Sequence, residues 1–310
     1  MTDMAVPAAA ATRKKKRKIA AFDVVNVVIM LFFAISIIYP FYFCVLIAFN
    51  DGMDSLIPGM YLWPRKPTLD NFRFIFKSGN FMLAFFNSVA RTVTGTALHI
   101  AVTFTASYGL YKIKLLKKAY TTYFFITMYI GGGLIPTYIL IKNLHLLNSF
   151  LVYIVPGMWG FYNCLLIMAY LRGNVDSAIE ESAQIDGASA FRTLVSIIFP
   201  VSLPVIATIA LFSAVAQWNS WFDTVIYTKS DSLVTLQSML MKLVKEAENI
   251  KNMVETMSAK GQNVDFLKTN IQPNGIRVAT MLVVIVPIVC VYPFLQKYFV
   301  KGIMIGAVKG

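Results

Sequence analysis

The 310-residue chain is 57% hydrophobic and only 14% charged, yet it carries a formal charge of +13 from 28 basic and 15 acidic residues. With a mean hydropathy of +0.65 it lies outside the usual range of soluble globular domains, and its charge is segregated from its apolar runs. A soluble enzyme, a disordered chain and a small disulfide scaffold are excluded; an integral membrane protein is expected.

The N-terminal tail, 1–23, contains six consecutive basic residues: Arg13, Lys14, Lys15, Lys16, Arg17 and Lys18. The next 26 residues, Val24–Phe49, carry no formal charge. This run is longer than the core of a cleavable signal peptide and has no small-residue cleavage site, so it reads as a membrane anchor. Beside a spanning helix, the basic run reads as a cytoplasmic retention signal, and no nucleic-acid partner is expected. Cys44, Cys164 and Cys290 all lie in apolar runs, where a thiol acts as a small hydrophobe. They give neither a disulfide framework nor a metal-ligand pair.

A helix crosses a bilayer core with about 20 apolar residues. Six candidate spans follow in order: 24–49, 81–111, 120–141, 150–171, 193–217 and 276–300. With the N-terminus inside, the cytoplasmic pieces are 1–23, 112–119, 172–192 and the tail 301–310. The external pieces are 50–80, 142–149 and 218–275, and the last five spans make a core over 81–300. Gly131, Gly132, Gly133, Pro136, Pro156, Pro200, Pro204 and Pro287 fall in or beside spans. They suit helices bent around a cavity, or ordinary membrane-helix packing.

Segment 218–275 is too long for a simple connection. Leu233, Leu236, Leu240, Leu243, Ala247, Ile250, Val254 and Met257 repeat at alternating spacings of three and four. That spacing predicts an amphipathic helix, packed on the first external segment or offered to an external partner.

The chemistry is informative chiefly for what it lacks. No Asp or Glu occurs between Asp70 and Asp176, whereas ion- and proton-coupled carriers rely on intramembrane acids. There is no GxxxxGK[ST] phosphate loop, and His99 and His145 form no metal cluster. No cofactor is therefore expected on this chain, and catalysis by it is not expected. Arg91 lies deep in the second apolar run, at a cost of at least about 2.5–3.5 kcal/mol if it faced lipid. With Asn87, Thr94 and Thr105 it could line a hydrated path; alternatively it binds a backbone carbonyl or snorkels outward.

The loop 172–192 places Asp176, Glu180, Glu181 and Asp186 on the face where membrane proteins gather cations. Ser177 to Glu180 has the form of a capping box, Gly187 can end the resulting short helix, and Ser189 can cap the next. The pattern Glu181-Ser182-Ala183, Gly187, Ile197 and Phe199-Pro200 resembles the EAA loop of ABC importer permeases, EAA-x3-G-x9-I-x-L-P. Ser182 and Phe199 depart from it. Ile185-Asp186-Gly187-Ala188 is similar to the IDGA version of the carbohydrate importers. Leu69-Asp70-Asn71-Phe72, Asn87-Ser88, Ala106 to Leu110, Trp218-Asn219 and the ending Lys301 to Gly310 resemble, in order, the MalG-like permeases of LplC/YtcP type.

This resemblance implies an all-α membrane protein with six transmembrane helices in the type I ABC importer permease fold. It implies a cytoplasmic-membrane location, a MalF-like second permease, two ATPase subunits that bind ATP and Mg, an external solute-binding protein and an oligosaccharide substrate. The coupling residues would be Glu180, Glu181, Ser182, Ala183, Asp186, Gly187, Ile197 and Pro200. Substrate-path candidates are Asn87, Arg91, Trp218 and Asn219. A permease for peptides or amino acids and a standalone secondary carrier are the alternatives.

Overall fold

The fold was analysed in a computed structural model, which describes residues 21–57, 59, 62–77, 80–260 and 272–307. The basic run Arg13–Lys18, residues 261–271 and the last three residues of the C-terminal ending lie outside these. The regular elements among the described residues are helical, apart from one isolated antiparallel bridge between Asn50 and Pro67.

Helix α1, Ala21–Ala48, begins in the anchor and is exposed along most of its apolar length, as suits a helix surrounded by lipid or another subunit. Its C-terminal end turns inward, burying Leu46 and Ala48. The chain then doubles back through a polar knot. Asn50 donates from Nδ2 to Asp54 Oδ2 at 2.9 Å, and Arg65 donates from Nε to the same oxygen at 3.0 Å. Helix α2, Asp70–Lys77, follows. Its buried Asn71 donates to the carbonyls of Ala48 and Asn50, tying α2 to the end of α1.

Helix α3, Phe81–Lys112, is 32 residues long, about 48 Å at 1.5 Å per residue. The expected third span is broken. Helix α4, Lys117–Tyr129, and α5, Leu134–Asn143, meet at 112°. Gly133, directly before α5, sits at φ +77°, ψ 179°, a region that is essentially glycine-only, so no continuous helix can run through it. The expected fourth span is also shortened. Its first part is a 3-10 turn, Phe150–Tyr153, and irregular chain through Pro156, Gly157 and Gly160; only α6, Phe161–Asn174, is α-helical.

Beyond α7, Ser177–Ile185, come α8, Ala190–Thr193, a π-helical turn, Leu194–Ile198, and α9, Phe199–Val201. These meet α10, Leu203–Asn219, at 81° across the buried Ser202. After α11, Phe222–Tyr227, come the amphipathic α12, Leu236–Ala259, and α13, Pro273–Ala307.

The six expected spans therefore resolve unequally. Phe22–Ala48 and Pro273–Pro293 are each long and apolar enough to cross a membrane, and the α4–α5 and α8–α10 stretches qualify as bent pairs. Helix α3 is long enough but carries a polar stripe. Helix α6, at 14 residues, reaches only about 21 Å. Helix α3 is central, packing on α10, α6 and α12, while α13 packs on α10, α1 and α12. The stripe on α12 is buried at Leu236, Leu240, Leu243 and Ala247, the first three in a cluster with Ile75, Ala84 and Ala279. Farther along, Ile250 and Met253 are exposed.

Candidate functional site

Packing along α3 repeats with the helical period. Ser88, Arg91, Gly95, His99, Thr103 and Ser107 are buried on one side, while Thr94 and Thr105 are exposed on others. Next to this stripe lies a cavity of about 540 Å³, bordered by α3, α5, α6, α10, α11 and the irregular chain at 152–157.

Arg91 is only 2% exposed and satisfies its guanidinium within the cavity wall. Nη2 donates to Asp223 Oδ2 at 2.5 Å, and Nε and Nη2 donate to Gln217 Oε1 at 3.2 and 3.0 Å. Nη1 donates to the Ser220 carbonyl at 3.3 Å, and the guanidinium carbon stands 4.5 Å from the centre of the Tyr153 ring. Asp223 is further held by Ser220 Oγ at 2.5 Å. Gln217 donates its own amide to the Tyr153 carbonyl at 3.2 Å. A Cβ on Gly95 would stand 2.7 Å from Gln217 Nε2, so glycine there makes room for this amide. The cost of burying Arg91 is met by a carboxylate and a full set of acceptors rather than by snorkelling.

Two turns along α3, His99 bridges to the opposite wall. Its Nδ1 lies 2.8 Å from the Gly157 carbonyl, which can only accept, and its Nε2 lies 2.8 Å from Asn163 Nδ2, which can only donate. A proton on Nδ1, with Nε2 accepting from the Asn163 amide, satisfies both contacts.

Of the four expected path residues, Arg91 borders the cavity. Asn87 instead donates to the Ser232 and Val234 carbonyls, fastening the entry of α12. Trp218 is buried against Phe85 and donates from Nε1 to the Val284 carbonyl at 3.1 Å, on the side of α13. Asn219 is exposed and does not border the cavity. Sequence reasoning passed over Tyr153, Asn163, Gln217 and Asp223. Their one local signal is the polar run Gln217, Asn219, Ser220 and Asp223 beside two tryptophans.

The loop 172–192 lies apart from this cavity and is the second candidate. Asp176 caps α7, its side chain accepting from the Ala178 amide at 3.0 Å; the cap thus falls one residue before the expected Ser177. Gly187, at φ +78°, ends the helix. Ser189 caps α8 as expected, accepting from the Arg192 amide at 3.3 Å. Glu181, Ser182 and Asp186 are exposed, as are the apolar Ile185 and Phe191; Glu180 and Ala183 are buried. Ile197 packs partly on the cluster joining α3, α6 and α10, and Pro200 is exposed. No group of three or more potential metal ligands occurs among the described residues.

Bent apolar helices around a polar cavity, with a short helix displayed between two of them, have the construction of a membrane permease. No family model matches the chain, but individual relatives do. It is 32% identical to Protein LplC of Bacillus subtilis (strain 168) over 291 residues, covering 93% of this chain and 95% of that one. It is 30% identical to the polygalacturonan/rhamnogalacturonan transport system permease protein YtcP of the same organism, covering 93% and 98%. The solved structure of a bacterial ABC transporter that imports the acidic polysaccharide alginate contains a chain of the same fold. The TM-score is 0.75 at 22% identity, covering 93% of this chain and all of that one. The chain belongs to the carbohydrate ABC transporter permeases, close to LplC and YtcP. It is accordingly a membrane permease subunit and not an enzyme.

Proposed function

We propose that this chain is one permease of an ATP-driven oligosaccharide importer, that the cavity beside Arg91 is part of the sugar path, and that 172–192 is the EAA coupling loop. The observation that carries this reading is the construction of α7. It is nine residues long, capped by Asp176 and stopped by Gly187, and it leaves Ile185 87% exposed beside exposed Glu181 and Asp186. An apolar side chain so exposed, flanked by acids, is suited to seating in a cleft of another protein.

In this reading the second, MalF-like permease completes the path and two ATPase subunits receive the coupling loops. ATP and Mg are bound there, and this chain holds no cofactor. An external solute-binding protein delivers the sugar near the exposed part of α12, and both termini are cytoplasmic. The names of YtcP and of the arabinooligosaccharide permease AraQ, 26% identical over 298 residues, support an oligosaccharide. The cavity offers rings at Tyr162 and Tyr227, which suit sugar faces, and polar groups at Asn163, Ser213 and Thr137, which suit hydroxyls.

The test is Gly187→Trp in the intact importer. Uptake should fall at least tenfold while ATP hydrolysis and binding of sugar by the external protein persist. Undiminished uptake overturns the coupling assignment, and uptake of peptides in place of oligosaccharides overturns the substrate class.

A further inference from the structure

The Arg91 network lies in the first half of α3; at the far end of the same helix a second ion pair reaches into the loop 172–192. Among the described residues, helix α7 packs extensively on no other helix, whereas α3 is the most heavily packed. Even so, Glu180 of α7 is 3% exposed, and its carboxylate meets the ammonium of Lys112. Lys112 is the last residue of α3, where the helix dipole favours a cation, and its Nζ lies 5.9 and 6.0 Å from the ring centres of Tyr108 and Tyr111. The other Glu180 oxygen, Oε1, is buried without a protein donor. Among the described residues, Lys112 is the one cation paired with the Glu180 carboxylate.

A buried carboxylate held by a single cation cannot slide away without leaving an uncompensated charge. Although Lys112 itself is 41% exposed, this penalty on Glu180 favours joint movement of α7 and the end of α3. Arg91 stands 21 positions earlier on the same continuous helix, about 32 Å away along its axis. There it is gripped by Asp223 and Gln217.

We infer that the Glu180–Lys112 ion pair is a positioning joint through which displacement of α7 passes to α3, and along α3 to the Arg91–Asp223 wall of the cavity. This rests on the reading of α7 as the coupling helix. Glu180 acts here through Lys112 and touches no substrate. The exposed Glu181 faces outward and has a different task.

The experiment uses the intact importer in proteoliposomes, with spin labels in a Cys44→Ser, Cys290→Ser background. One pair, at the exposed positions 178 and 203, reports on α7; a second, at the exposed positions 93 and 225, reports on α3 against α11. Distances are measured without nucleotide and after trapping with ATP and vanadate. In the otherwise wild-type importer both pairs should shift. In Glu180→Gln and in Lys112→Gln the α7 pair should still shift, while the shift of the α3–α11 pair is lost and ATP hydrolysis continues. The exchange Glu180→Lys/Lys112→Glu should restore the second shift, which a merely structural effect of losing either residue would not do. It also keeps the test decisive if a single variant fails to fold.

A cavity-side shift that survives Glu180→Gln, or is not restored by the exchange, overturns the joint while α7 remains the coupling helix. An α7 pair that ignores nucleotide in the wild-type importer overturns both.

Discussion

Arg91 on α3 and Asp223 on α11 meet at 2.5 Å although 132 residues separate them in sequence. Arg91 is 2% exposed and Asp223 20%, so the pair is withdrawn from most of its water. The two charges cancel, and the cavity wall presents a compensated ion pair rather than a bare cation. Removing one partner strands the other. Asp223→Asn strands the buried Arg91 and should destabilise the folded chain by up to about 3–5 kcal/mol, the range for breaking a buried pair, while Arg91→Met strands the partly exposed Asp223 and should cost less. The double replacement Arg91→Met/Asp223→Leu leaves no stranded charge and should recover much of the loss. Thermal unfolding of the detergent-solubilised importer reads this; a double variant as unstable as the sum of the singles would refute the coupling.

A closer packing relationship supports the same pair. Gly95 stands one turn beyond Arg91, and a methyl group there would fall 2.7 Å from Gln217 Nε2 and 2.9 Å from its Cδ. Gly95→Ala should therefore expel the Gln217 amide from beneath the guanidinium, at a cost of about 1–3 kcal/mol as for other overpacked sites. Shortening the neighbour in Gly95→Ala/Gln217→Ser should relieve the clash but not replace the two hydrogen bonds to Arg91. Melting temperatures should then fall in the order wild type, double variant, Gly95→Ala.

These relationships show what the linear sequence could and could not disclose. The start and stop of α7 were legible because caps and a terminating glycine are local, although the cap proved to be Asp176 rather than Ser177. The stripe of α12 was legible because its period is. Arg91 was conspicuous as a charge within an apolar run, but its partners Gln217 and Asp223 lie 126 and 132 residues away. No periodicity links such positions. Asp223 fell in what reads as an external connection, so the apparent scarcity of acids concealed the counter-charge. Hydropathy likewise counted 150–171 as one span, whereas Pro156, Gly157 and Gly160 leave only Phe161–Asn174 α-helical. Whether glycines and prolines bend a span or merely pack within it depends on neighbours, and a residue list does not contain them.

Outside the bundle, Asp54 gives a pH prediction. The hydrogen bond from Asn50, and then the nearby Arg65 guanidinium, hold its carboxyl below the ordinary value of 3.8, against an opposing effect of burial. A carboxyl with a lowered folded-state pKa contributes stability that is complete above its ordinary value and is lost as pH falls through the lowered one. The wild type should thus exceed Asp54→Asn in melting temperature by a constant margin above about pH 5. That margin should narrow below pH 3.8. A margin independent of pH would show that the Asp54 charge contributes nothing.

The α4–α5 break allows a test in which neighbouring glycines serve as controls. Gly133 is held at φ +77° and ψ 179°, where a side chain costs about 1–3 kcal/mol. Its neighbours differ: neither Gly131 nor Gly132 has a positive φ. A methyl group on Gly131 would meet nothing within 4 Å, and one on Gly132 would make an ordinary 3.5 Å contact with Pro136. Space alone would rank Gly133→Ala with the mild variants, since nothing lies within 4 Å of its Cβ either; backbone conformation ranks it apart. Gly133→Ala should lower the melting temperature and the amount of assembled importer, while Gly131→Ala and Gly132→Ala should change both little. Equal effects at all three positions would mean that the 112° bend does not depend on the conformation of Gly133.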